Sequence, residues 1–98
     1  MLDLRLLETF REVAARGSFS AAAEALAFTQ PAVSQHVARL ERQLGAKLFE
    51  RDARGVTPTR AGRSLLRHAE ALLEAARRAE AEVRLDAGLE IPEVRLSS

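Results

Sequence analysis

The chain has 98 residues, 47% of them apolar, with four Phe and neither Trp nor Tyr, which suits one small core of Leu, Val and Ala and favours packed helices over a sheet. With no cysteine and only His36 and His68, a disulfide framework, thiol chemistry and a metal cluster are excluded, no cofactor is expected, and a reducing, cytoplasmic setting fits. The net charge of +1 conceals a gradient: residues 1–35 carry three basic and four acidic groups, residues 36–67 eight and three, residues 68–98 four and seven, so a phosphate-binding surface is expected in the middle third.

No apolar run approaches a membrane span, and Met1-Leu2-Asp3-Leu4-Arg5 lacks the layout of a secretory signal, so no membrane role is expected. Leu6, Phe10, Val13 and Ala14, with Leu7 alongside, predict a first helix over about residues 3–16, ended by Gly17. Ser20 is read as the N-cap of a short second helix with Ala22, Ala23 and Leu26 inward, after which Phe28 turns back to the core. Thr29 caps a third helix, with Pro31 in its first turn, where a missing N–H costs nothing. That helix runs to about Leu44 and stops at Gly45.

A short alanine-rich helix, a tight turn and a second amphipathic helix form the pattern of a helix-turn-helix that reads DNA. On the third helix, Val33, Val37, Leu40 and Leu44 share one arc, the expected buried side. The opposite arc carries Pro31, Ser34, Gln35, Ala38 and Arg42. Short side chains near its start let the helix enter a major groove, where Gln35 offers an amide to a base edge. Gln30 lies at the helix start, where backbone N–H groups favour a phosphate.

Lys47-Leu48-Phe49-Glu50-Arg51 and Val56-Thr57-Pro58 are two extended runs separated by Asp52-Ala53-Arg54-Gly55, a hairpin signal. Leu48, Phe49 and Val56 are expected to anchor it, leaving Arg54 at the tip to enter a minor groove or grip a phosphate. Arg51 either pairs with Glu50, Asp52 or a core-side carboxylate, or contacts DNA. From Thr59, as N-cap, to about Gly88 a single helix is predicted, too long for so small a domain. Leu65, Ala69, Leu72, Ala76, Ala79 and Val83 repeat in alternate steps of four and three, a coiled-coil seam for pairing with another copy. Gly62 is read as a point of close approach, and Arg60 and Arg63 as further phosphate contacts.

Residues 2–88 resemble the amino-terminal DNA-binding domain and linker helix of LysR-type transcriptional regulators. The matching motifs are Leu4-Arg5-Leu6-Leu7 with Phe10, Gly17-Ser18-Phe19-Ser20-Ala21-Ala22-Ala23, Thr29-Gln30-Pro31-Ala32-Val33-Ser34, Leu40-Glu41-Arg42-Gln43-Leu44-Gly45, Leu48-Phe49-Glu50-Arg51 and Thr59-Arg60-Ala61-Gly62. The resemblance implies a mainly α, winged helix-turn-helix fold over residues 1–58 and a dimerisation helix over residues 59–88. It further implies binding of interrupted palindromes in promoter DNA. By position, Gln30, Pro31, Ser34 and Gln35 would meet the major groove, Arg54 the minor groove, and Ser20, Thr29 and Thr57 phosphates. Gln35 and His36 stand where relatives often have an arginine, so base preference is expected to differ. Phe28 replaces a smaller or polar residue and is read as core filling. Residues 89–96 resemble only the start of the family's effector-binding domain, so residues 89–98 are expected to be a loose tail, with no small-molecule ligand in this stretch.

The expected function is sequence-specific binding of double-stranded DNA by a homodimer. The alternative is an interaction module that pairs with a full-length relative through the long helix; the basic middle third and the wing favour the first. No nucleophile and base fall at a catalytic spacing, so the chain is not read as an enzyme.

Overall fold

Asp3 opens the first helix by accepting the Arg5 N–H on its side chain at 2.9 Å. In the computed structural model, which describes residues 1–88, helix α1 then spans Leu4–Arg16. It ends at Gly17, whose left-handed backbone (φ 65°) aims its N–H at the Val13 carbonyl, the termination expected of glycine at this place. Helices α2 (Phe19–Leu26) and α3 (Gln30–Leu44) follow, then a hairpin of strands β1 (Phe49–Asp52) and β2 (Gly55–Pro58), then the long helix α4 (Arg60–Asp86). Residues 89–98, with the expected start of an effector-binding domain and loose tail, lie outside the described residues.

The N-cap of α2 is Ser18 rather than Ser20. Ser18 is extended and its hydroxyl oxygen accepts the Ala21 N–H at 3.0 Å. Phe19 enters the core as the first helical residue, only 6% exposed, and this starts the helix one residue before Ser20. The turn into α3 is closed by Ala27 in the left-handed region (φ 59°), a place glycine usually fills. Thr29 caps α3 by accepting the Ala32 N–H, and Gly45 ends it, both as predicted.

Helix α1 lies at the centre, packed against α2, α3 and α4. Leu6, Leu7, Phe10 and Val13 from α1 meet Phe19, Ala22 and Ala23 from α2, Val33, Val37 and Leu40 from α3, and Leu48 and Phe49 from the hairpin. Each large side chain so buried stabilises the fold by about 1.5–3 kcal/mol. Leu26 is only half-buried, and Phe28 and Leu44 are 45% and 43% exposed, so neither of the latter two joins the core. Leu44 has the right angle on the helix wheel, but it is the last residue of α3 and the chain turns away beyond it.

Strands β1 and β2 pair antiparallel, with Phe49 opposite Pro58 and Asp52 opposite Gly55. At the other end of β2, Thr59 joins α4 to the base of the hairpin. Its N–H bonds the Leu48 carbonyl at 2.9 Å and its hydroxyl donates to the Lys47 carbonyl at 2.7 Å, while the same oxygen accepts the Gly62 N–H at 3.0 Å. A methyl group on Gly62 would overlap the Leu48 carbonyl oxygen, so this glycine permits the close approach predicted for it. The 27 residues of α4 make a rod of about 40 Å at 1.5 Å per residue, which accounts for the 54 Å long axis of the molecule. Among the described residues no helix is long and apolar enough to cross a membrane.

Candidate nucleic-acid interface

The exposed side of α3 follows from its apolar spacing. Val33, Val37 and Leu40 are 0–4% exposed, which turns Pro31, Gln35 and Arg42 to solvent and leaves Ser34 and Ala38 half-buried at the edge. Ser34 and Ala38 form one wall of a groove whose other wall carries Lys47, Glu50 and Arg51 from the hairpin, with Phe19 at its end. A convex helix beside this groove, with small side chains along its rim, has a shape that fits a major groove.

At the start of α3, exposed Gln30 is held from the preceding helix: the Ser20 hydroxyl donates to Gln30 Oε1 at 3.1 Å. Glu41 holds the other end of α3 by accepting the Leu48 N–H at 2.8 Å. The hairpin therefore starts at a fixed distance from the exposed helix face.

The wing tip is Ala53-Arg54. Asp52 accepts the Arg54 N–H at 2.9 Å, and the Arg54 side chain projects into solvent. Thr57, on β2, is also exposed and lies opposite Glu50. The hairpin is braced at both ends: Val56 N–H, near the tip, bonds the Gly17 carbonyl at 3.3 Å, and at the base Phe49 packs on Phe10 at 5.2 Å and meets Phe19 edge-on at 6.0 Å. Arg51 completes this brace. Its guanidinium carbon sits 4.2 Å from the centre of the Phe19 ring, a cation–π contact worth about 0.5–1 kcal/mol when exposed. No ion pair of Arg51 occurs among the described residues.

Arg11–Glu70, Arg16–Glu12, Arg77–Glu74 and Arg78–Glu74 are the pairs within 4.0 Å among the described residues, all on α1 and α4. Arg39, Arg42, Lys47 and Arg54 have none, and neither do Arg5 on α1 or Arg60, Arg63, Arg67 and Arg84 on α4, so the exposed cations of α3, the wing tip and the start of α4 face solvent unneutralised.

Sequence reasoning missed one polar contact beneath this face. Thr9 is the buried polar residue of the core, 1% exposed. Its hydroxyl donates to the Arg5 carbonyl at 3.2 Å and lies 2.9 Å from His36 Nδ1. Phe28 meets the His36 ring edge-on at 5.4 Å, which explains its exposed position: it covers the histidine from outside.

On α4 the predicted seam splits. Ala69 is fully buried in the core, joined by Leu73, which the seam omits. Leu65 and Ala76 are half-buried, whereas Leu72, Ala79 and Val83 face solvent, Leu72 and Val83 at 40% and 65%. The side of α4 packed against the core is Gly62, Ala69 and Leu73, rotated from the seam by about 60° at 100° per residue. Among the described residues no group of three His, Cys, Asp or Glu could hold a metal ion.

Residues 4–63 match the family model described as "Bacterial regulatory helix-turn-helix protein, lysR family". The chain is 51% identical over 79 residues to the HTH-type transcriptional regulator AbaB of Streptomyces antibioticus, an alignment covering 76% of this chain and 26% of AbaB. It is 44% identical over 82 residues to the nitrogen assimilation regulatory protein nac of Escherichia coli K12, covering 84% and 27%. The chain thus spans about a quarter of the length of these relatives. Among solved structures, the DNA-binding domain of CbnR in complex with DNA superposes with a TM-score of 0.83 at 37% identity, covering 88% of this chain and 99% of that one. A BenM DNA-binding domain complexed with catB site 1 DNA gives 0.83 at 32%, covering 88% and 97%.

Proposed function

Because the chain belongs to the lysR family of bacterial regulatory helix-turn-helix proteins, we propose that it reads double-stranded promoter DNA as a homodimer. The observation that carries this reading is the set of exposed, unpaired cations around α3 and the wing, Arg39, Arg42, Lys47 and Arg54, which are left for phosphates. Residues 1–58 form the reading unit and residues 59–88 the pairing helix, with residues 89–98 leading out of it. Gln30, Pro31, Ser34, Gln35 and Ala38 approach base edges in the major groove. Thr29, Arg42 and Thr57 hold the flanking phosphates, and Arg54 enters the minor groove. Phosphate contacts supply affinity and base contacts supply choice.

Pairing uses the outward part of the seam, Leu72, Ala79 and Val83, flanked by Leu65 and Ala76. It sets two copies of α3 into successive major grooves, about 34–36 Å apart, which matches an interrupted palindrome. Such a reader works in the cytoplasm, where the DNA is, and its role is binding rather than catalysis. The exposed apolar stripe on α4 also favours a pure pairing module, but that role leaves the unneutralised cations of α3 and the wing without a purpose.

Selection from a random duplex pool with the purified chain at near-physiological salt tests the proposal. Enrichment of an interrupted palindrome is expected. A folded sample that enriches no sequence overturns it.

A further inference from the structure

Ser20 has no part in capping α2, because Ser18 does that. Its hydroxyl proton instead goes to Gln30 Oε1 at 3.1 Å, and both residues are exposed. The two ends of a side-chain amide differ, since the oxygen accepts and the NH2 donates. Reading adenine with both ends requires them to lie along one base edge, the oxygen toward the adenine amino group and the NH2 toward N7. An amide whose oxygen is engaged by Ser20 has one of that oxygen's two lone pairs occupied and the oxygen held toward α2, while both NH2 hydrogens stay free.

We propose that Ser20 is a positioning residue that makes Gln30 a donor-only reader, so that the base it faces is chosen for major-groove acceptors. Guanine, with acceptors at N7 and O6, is favoured there, and cytosine, which offers an amino donor, is rejected. The same bond removes Ser20 from the phosphate contacts. A phosphate oxygen only accepts, and the one proton of the hydroxyl is already engaged. This inference rests on the reading of α3 as a DNA-contacting helix.

The test is selection from random duplexes by the wild-type chain, Gln30→Ala, Ser20→Ala and Ser20→Thr, with thermal unfolding as a check that the variants fold. Loss of preference in Gln30→Ala identifies the base position concerned. The expected result is that the wild type favours guanine there and that Ser20→Ala, freeing the amide oxygen, shifts the adenine-to-guanine ratio about tenfold toward adenine. Ser20→Thr, which retains the hydroxyl, keeps the wild-type preference. The inference is overturned if the wild type already favours adenine at that position, if Gln30→Ala changes no position, or if Ser20→Ala weakens all sequences alike. In those three cases a palindrome enriched by the wild type leaves the proposed function standing. If the wild type enriches nothing, both fall together.

Discussion

At the scale of the residue, two side chains carry separable consequences. Arg54 stands at the wing tip in solvent, with its backbone N–H fixed by Asp52, so its removal takes away a cation without disturbing the hairpin. In Arg54→Ala the DNA affinity is expected to fall, and the slope of log K against log salt to decrease by about 0.9, the value for one phosphate neutralised. Fluorescence anisotropy titrations over a salt series read both; an unchanged slope would remove Arg54 from the interface. Thr9 acts inside the core. Thr9→Val keeps the shape but leaves His36 Nδ1 without its hydroxyl partner, and the expected cost is about 1–3 kcal/mol, measured by urea denaturation. Nothing in the sequence links Thr9 to His36, because they are 27 positions apart and meet only once α1 and α3 have packed.

At the scale of the element, Gly62 decides how closely α4 sits on the hairpin. Alanine is the better helix former by about 1 kcal/mol, yet its methyl would overlap backbone at Leu48, and backbone yields poorly. Gly62→Ala is therefore expected to lower stability by about 1–3 kcal/mol, seen as a lower melting temperature by circular dichroism; a stabilised variant would mean that α4 docks more loosely. The elements themselves were legible because their ends are local. Thr29, Gly45 and Thr59 lie where cap chemistry places them, and the strands flank a recognisable turn. What the sequence could not show were the choices among neighbours and faces. Ser18 and Ser20 are equally good caps until Phe19 is seen to be buried. Arg51 sits between two acids in sequence but takes an aromatic partner. The α4 seam hid a second apolar side, because a small-residue stripe can serve the chain's own core or a second copy, and Ala69 serves the first. For the candidate interface, the exposed arc of α3 was legible from its periodicity, whereas the hold of Ser20 on Gln30 depends on the turn geometry.

At the scale of the whole molecule, α4 extends past the body that supports it. From residue 77 onward every described position is exposed, and apolar Val83 and Leu85, 65% and 57% exposed, have no core to join. Glutamate at Leu72 and Val83 places charges on this free side while leaving Ala69 and Leu73 in place. The double variant is expected to remain folded but to sediment as a monomer. Two half-sites held by one dimer bind more tightly than separate copies by about 10²–10⁴, so affinity for a palindrome is expected to fall toward that lower level. A double variant that still sedimented as a dimer would place the pairing surface elsewhere.

The three hydrogen bonds at Thr59 have a mechanical consequence. Two of them fix the inner end of α4 to Lys47 and Leu48 and the third caps the helix at Gly62, and Gly62, the one glycine nearby, is wedged against the Leu48 carbonyl instead of acting as a hinge. A rod clamped in this way cannot swivel independently of the hairpin. Torque applied at its outer end is delivered to the wing, so in the proposed dimer the angle at which two copies cross along α4 would also set the attitude at which each Arg54 meets DNA.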